Sequence, residues 1–266
     1  KIMKKFLTVA LAGVLAASML FTGCSKKAES KVPDKLIVGT NAEFPPFEYM
    51  NDKKQPEGFD IAMIKEIGKR MGKKVEIKNM EFKSLIGAME SDSINAIIAG
   101  MTKTEKREKA VDFSDSYYTT NQAIILKKDS KITKLAQLDG KKIGVQEGTT
   151  GDLISSGDKF GDGKKAKVLV KGAKVKRFKK GVDAVMDLKN GSVDAVVIDE
   201  LTANEFVKKN AKKLKIVIDS AGSEYYCIAL TKGNTAYKEE VNKQIKAIKE
   251  DGTYDKLKAK YIDSKN

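Results

Sequence analysis

The chain has 266 residues, 41% hydrophobic and 33% charged, enough for one large domain or two small ones with an ordinary globular balance. It has no histidine and only two cysteines, Cys24 and Cys227, which excludes Ser-His-Asp and Cys-His catalysis, a disulfide framework and the common zinc sites. The formal charge of +15 taken alone points to an anionic partner such as nucleic acid, a membrane surface or a cell wall.

Lys4 and Lys5 precede Phe6 to Ser25, a stretch without charge and rich in Ala and Leu. A basic start, an apolar run and small residues before a cut make a secretory signal, with an uncleaved membrane anchor as the alternative. Phe21-Thr22-Gly23-Cys24 resembles a bacterial lipobox, with Phe where Leu is usual at the third position before the cysteine. The resemblance implies a signal peptide over residues 1–23 and a lipidated Cys24 that anchors an extracytoplasmic protein in the cell membrane. Residues 24–33 then form a polar tether. Cys227 is left without a partner in the chain, and no later stretch is apolar for the length of a membrane span.

Beyond the tether, Leu36–Thr40 reads as a strand, and Ile61, Ile64, Ile67 and Met71 form one helical stripe. Val75, Ile77 and Met80 suggest a strand. Ser84 is placed to cap a short helix carrying Leu85, Ile86 and Met89, and Ile94–Ala99 is a buried strand ended by Gly100. Strand, helix, strand, helix, strand predicts a parallel sheet with helical crossovers. The pattern restarts after Gly140. Ile143–Val145 is a strand, Gly148–Gly151 a turn that opens a helix, Val175–Phe178 a strand, Val182–Leu188 a helix and Val193–Ile198 a strand. Further helix and strand signals run from Ala203 to Ile218. Tyr225–Leu230 is a strand, followed by a long amphipathic helix around Val241, Ile245 and Ile248, then Leu257 and Tyr261. The fold class is α/β, with two lobes and a cleft at their switch points.

Five segments in order carry a family resemblance: Gly39–Tyr49 with Gly58-Phe59-Asp60-Ile61, Ala99–Arg107, Val111–Tyr118, Gly144–Gly151 and Val193–Asp199. Together they resemble the polar amino-acid substrate-binding proteins of ABC importers, over residues 34–262. The resemblance implies a periplasmic-binding-protein-like fold whose chain crosses between lobes near Thr120–Ile124 and Ser220–Cys227. Lobe one would hold residues 34–120 and 226–266, and lobe two residues 125–221. It also implies a monomeric binding protein, not an enzyme, with an ABC permease as partner and neither cofactor nor metal.

A free amino acid offers a carboxylate, an ammonium and a side chain. Guanidinium grips a carboxylate bidentately, and the Thr-x-x-Glu-x-x-Arg context read against the family assigns that task to Arg107. Backbone N–H groups of Thr102 and Thr150 add donors, because each lies between a strand end and a helix start. For the ammonium the acceptors are Asp199, the Gly100 carbonyl and the Thr102 hydroxyl. The alternative for Asp199 is a cap on the next helix. Asp194, before the strand, reads as structural. Phe44 and Phe82 match positions where the family stacks rings on the ligand, whereas Phe47 and Phe113 read as core. Asn41, Glu43 and Gln146 complete the side-chain pocket. The downstream stretches Glu205–Val207 and Ser223–Tyr226 look most like relatives that bind arginine, lysine or histidine. Asn41, neutral where such relatives often carry Asp, keeps glutamine open.

Two other classes compete. A dehydratase on the same fold would have only Glu43, Glu147 and Asp199 for acid–base work, and the chain has no nucleophile elbow, P-loop or dinucleotide fingerprint. Charge-driven nucleic-acid binding or surface adhesion would use Gly163–Gly181, which has nine basic residues named Lys164, Lys165, Lys167, Lys171, Lys174, Lys176, Arg177, Lys179 and Lys180 and no acid. With Phe178 its single aromatic and no recognition motif, it reads as a solvated face, and no nucleic-acid partner is expected. Asp158-x-x-x-Asp162-Gly163 is a turn rather than a calcium loop.

Overall fold

The computed structural model describes residues 31–157, 170–218 and 223–263. The signal peptide, Cys24, most of the tether and Asp158–Gly163 lie outside the described residues. No helix among the described residues is long and apolar enough to cross a membrane.

In chain order the elements are β1 (Lys35–Thr40), β2 (Glu43–Phe44), β3 (Glu48–Met50), β4 (Pro56–Glu57), α1 (Phe59–Arg70), β5 (Lys74–Asn79), α2 (Leu85–Glu90), β6 (Ala96–Ile97), α3 (Glu105–Glu108) and β7 (Val111–Thr120). Then follow β8 (Gln122–Lys127), β9 (Lys142–Gln146), α4 (Thr150–Ser156), β10 (Lys174–Phe178), α5 (Gly181–Asn190), β11 (Ala195–Asp199), α6 (Glu200–Lys208), β12 (Leu214–Ile218), β13 (Glu224–Thr231), α7 (Thr235–Glu250) and α8 (Thr253–Tyr261).

Two five-stranded sheets form the two lobes, in the orders β5-β1-β6-β13-β7 and β10-β9-β11-β8-β12. In the first, β1 pairs in parallel with β5 and β6, but β13 is antiparallel to both β6 and β7. In the second, β9 pairs in parallel with β10 and β11, but β8 is antiparallel to β11 and β12. The sheets are therefore mixed rather than wholly parallel. The cause is the crossing itself: β8 and β13, the first strand after each crossing, run against the βαβ strands of the sheet they enter. The first crossing is at Asn121, since β7 ends at Thr120 in one sheet and β8 begins at Gln122 in the other. After the second, Glu224 and Tyr225 already pair with Thr120 and Thr119, two residues ahead of the expected return at 226.

Packing follows the periodicity. Ile61, Ile64 and Ile67 of α1 and Val241, Ile245 and Ile248 of α7 are buried against the first sheet, as are Phe47 and Phe113. At Ile94–Ala99 only Ala96–Ile97 forms a ladder strand, although all but Asn95 are buried. Ser84 stands at the N-cap position of α2 without a side-chain capping bond. Cys227 is a free, buried thiol whose pKa burial raises to about 11.

The strand ends β1, β6, β9 and β11 all lead into the space between the lobes, so the residues after them (Asn41, Gly100–Thr102, Gln146–Thr150 and Asp199) converge there. Two glycines allow this. Gly100 adopts φ +51, which disfavours a side chain. A Cβ on Gly151 would stand 2.7 Å from the Val197 carbonyl oxygen, so only glycine lets α4 lie this close to β11.

Candidate functional site between the lobes

Arg107 sits in α3, whose first turn is capped by the Thr104 hydroxyl accepting from the Arg107 N–H at 3.2 Å. The residue is only 6% exposed, and its guanidinium is held on both sides of the cleft. It donates to the carbonyl of Thr102 in its own lobe and to that of Gly148 in lobe two at 3.0 Å, and lies 5.3 Å over the Phe82 ring centroid. Burial lowers its pKa to about 10, with Glu224 and Asp199 opposing, so it stays charged at neutral pH.

Asp199 ends β11 and is 3% exposed. It occupies the N-cap position of α6, yet its side chain makes no capping bond. Instead Oδ1 accepts from the Tyr226 hydroxyl at 2.8 Å, across the lobes. Burial first, then the Glu224 carboxylate, push its pKa up to about 7. The Tyr226 ring is itself held in an aromatic cluster with Phe47, at 5.1 Å, and Tyr118, at 6.0 Å.

Phe44, Phe82, Ala99, Gly100, Thr102, Arg107, Thr149, Thr150 and Asp199 enclose one space of about 10 Å³. Every residue expected to meet the carboxylate or the ammonium is in that set, with both expected rings. Such a volume holds about one water, so an organic ligand enters only when the lobes separate. A larger cavity of about 620 Å³ adjoins it through Phe82 and Arg107 and opens past Lys83 and Lys106, but its two lining acids, Glu147 and Asp152, are already paired with Lys83 and Arg177.

The side-chain pocket differs from expectation. Asn41 donates from Nδ2 to the Met80 carbonyl and accepts at Oδ1 from Gln146 Nε2, both at 2.8 Å. These two amides therefore bind each other across the lobes. Glu43, partly exposed, pairs with Lys180 of lobe two at 2.7 Å. Glu81 with Lys179 and Glu147 with Lys83 make the same kind of cross-lobe pair at 2.6 Å. Part of the basic stretch is thereby neutralised, since Lys176 also meets Asp187 and Arg177 meets Asp152. Asp194 accepts from the Lys142 N–H at 2.8 Å, a structural role.

Three polar residues were given no role at the site by the sequence reading, although two of them lie in the Ser223–Tyr226 stretch it singled out. Glu224 Oε2 accepts from the hydroxyls of Thr102 and Thr150, each at 2.7 Å. Gln122 Nε2 donates to the Thr150 hydroxyl at 3.1 Å, and Tyr226 reaches Asp199. The available signal was alternation on a crossing strand: Glu224 and Tyr226 are two apart in β13 and share a face.

Behind the site, Asp60 Oδ2 accepts from the Gly100 N–H and the Tyr117 hydroxyl, each at 2.7 Å, which fixes the Gly100 loop from the first turn of α1. Both oxygens of Glu48 and Oδ1 of Asp60 are buried and meet no protein donor. Burial and the charge of one carboxyl on the other favour one proton held between the two. Burial pushes Glu48 well above the carboxylate range and Asp60 up to about 6. The folded state thus keeps a proton that the unfolded chain releases near pH 4, and its stabilisation is lost as pH rises through about 6 and beyond. Glu48→Gln supplies a permanent N–H to Asp60. It is expected to lose less stability than the parent between pH 5 and pH 8 in urea unfolding; parallel losses would contradict the shared proton.

Comparison with known proteins places this geometry. Residues 36–264 match the model of the bacterial extracellular solute-binding proteins, family 3. The chain is 33% identical over 263 residues to the arginine-binding extracellular protein ArtP of Bacillus subtilis, covering 98% of each chain. It is 33% identical over 229 residues to the ABC transporter arginine-binding protein 1 of Escherichia coli, covering 84% of this chain and 89% of that one. Among solved structures, an ancestral arginine-binding protein bound to arginine superposes with a TM-score of 0.79 at 42% identity, over 87% of this chain and all of the other. The chain belongs to family 3 of the bacterial extracellular solute-binding proteins.

Proposed function

We propose that the protein captures a free polar L-amino acid outside the cytoplasm, with a cationic one favoured, and hands it to an ABC permease without chemical change. The observation that carries this is one space lined by a buried guanidinium from lobe one and a buried carboxylate from lobe two, Arg107 and Asp199. The first matches a ligand carboxylate and the second a ligand ammonium. Thr102, Thr150 and the Gly100 carbonyl supply the remaining polar contacts, and Phe44 and Phe82 the apolar ones. The names of the relatives agree, for arginine and for ABC transport.

A neutral ligand such as glutamine is the second reading. It is favoured by the Asn41–Gln146 amide pair and by Lys180 neutralising Glu43. A thermal-shift screen against the twenty amino acids separates the two, since a ligand at a hundred times its Kd stabilises by about 2.7 kcal/mol. A cationic amino acid is expected to give the largest shift and to be recovered intact after incubation. If none of the twenty shifts the transition, the reading fails; a ligand consumed on incubation would restore the dehydratase alternative.

Lipid anchoring through Cys24 belongs to the same proposal and rests on Phe21–Cys24. Cys24→Ala is expected to leave the protein in the medium or unprocessed. A variant that remains processed and membrane-bound like the parent would contradict the anchor.

A further inference from the structure

The acids around the cleft fall into two groups. Glu43, Glu81, Glu147 and Asp152 each meet a lysine or arginine side chain. Asp199 and Glu224 have no such ion pair among the described residues: Asp199 lines the space enclosed with Arg107, and Glu224 borders it through the hydroxyls of Thr102 and Thr150. Glu224 lies at the start of β13, where the chain returns to lobe one. Its Oε2 gathers one hydroxyl from each lobe, that of Thr102 and that of Thr150.

A hydroxyl has one proton. Both threonines spend theirs on Glu224, so towards the ligand Thr102 Oγ1 offers only lone pairs. It is fixed as an acceptor and suits an ammonium. Thr150 Oγ1 also accepts from the Gln122 amide. Charges then decide what the site takes. Arg107 and Asp199 are balanced by the two ends of any zwitterionic amino acid. Glu224 is left over, and the Glu48–Asp60 pair behind Gly100, with a shared proton, adds the same sign.

We propose that Glu224 is a positioning and selectivity residue of the ligand site: it orients the Thr102 and Thr150 hydroxyls across the lobes and supplies an unneutralised negative charge that favours ligands bearing a net positive charge. This rests on the amino-acid reading of the site and deepens it. Selection acts through the field in a poorly screened cleft, so no direct contact with the ligand side chain is required. Anionic amino acids are disfavoured by the same charge.

Glu224→Gln tests it, because glutamine keeps the shape and a carbonyl oxygen that accepts both hydroxyls while removing the charge. Calorimetric titration with arginine, glutamine and glutamate is the measurement. Arginine should weaken about tenfold or more, glutamine less than threefold, and glutamate should improve. Equal weakening of arginine and glutamine would reduce Glu224 to a structural bridge and overturn the selectivity claim, as would unchanged affinities. Glu224→Ala also removes the bridge and should weaken both amino acids; if it binds them as the parent does, the positioning role is overturned. Should the parent bind no amino acid, the functional reading fails instead, which is a different result from either variant's.

Discussion

Arg107→Ala is expected to weaken every amino acid the protein binds by a common factor, between about thirtyfold and several thousandfold. All amino acids share the carboxylate, and truncating one partner of a buried, hydrogen-bonded charge pair costs about 2–5 kcal/mol. The guanidinium is well placed for this. Two backbone carbonyls and the Phe82 ring fix its plane, so little is lost to ordering when a ligand arrives. Its fork has five donors, and Thr102 and Gly148 use two of them. The Gly148 bond also ties α3 to lobe two, so the variant should close less completely as well as bind less. Arg107→Lys keeps a charge but loses the fork, and is expected to recover only part of the affinity. The check is calorimetric titration of both variants with arginine, lysine, histidine and glutamine. If Arg107→Ala binds like the parent, the carboxylate lies elsewhere.

Asp199→Asn should be nearly as damaging, and it changes the pH profile in a defined direction. In the parent, burial and Glu224 hold the Asp199 pKa at about 7, so the carboxyl is partly protonated at neutral pH. Pairing with an ammonium needs the ionised form. Binding therefore releases a proton below pH 7, and affinity should fall there by up to about tenfold per pH unit while levelling off above pH 8. The amide variant removes the charge. It is expected to bind at least thirtyfold more weakly at pH 8, with little change in affinity between pH 6 and pH 8. Titrations across that range in buffers of different ionisation enthalpy measure affinity and proton release together. A parent whose affinity is flat from pH 6 to pH 8 would remove Asp199 from the role of ammonium acceptor.

Much of this was legible in the sequence because it depends on local pattern. The α1 stripe, the β1 and β11 runs and the turn at Gly148 are set by periodicity and by residues close in the chain. Gly100, Thr102 and Asp199 were placed by strand ends that point at the cleft, and Arg107 by the family resemblance; the structure brings all four around one space. What escaped depends on distant chain. Gln122 stands opposite Asp199 only through the β8–β11 register, and Glu224 meets Thr102 and Thr150 only because the second crossing returns between them. The partner of Glu43 was hidden for the same reason: nothing near it in sequence announces Lys180, 137 positions away on the other lobe. The mixed sheets were missed because strand direction follows from the path of the chain and leaves no mark in composition.

The central claim is that one cleft grips both ends of a free amino acid, the carboxylate at Arg107 and the ammonium at Asp199. Calorimetric titration of the parent with L-arginine, agmatine and Nα-acetyl-L-arginine tests it most directly, because the latter two keep the side chain and lose one end each. The account predicts tight binding of arginine and a loss of about thirtyfold or more for each of the others. Agmatine or the acetylated compound binding as tightly as arginine would contradict it.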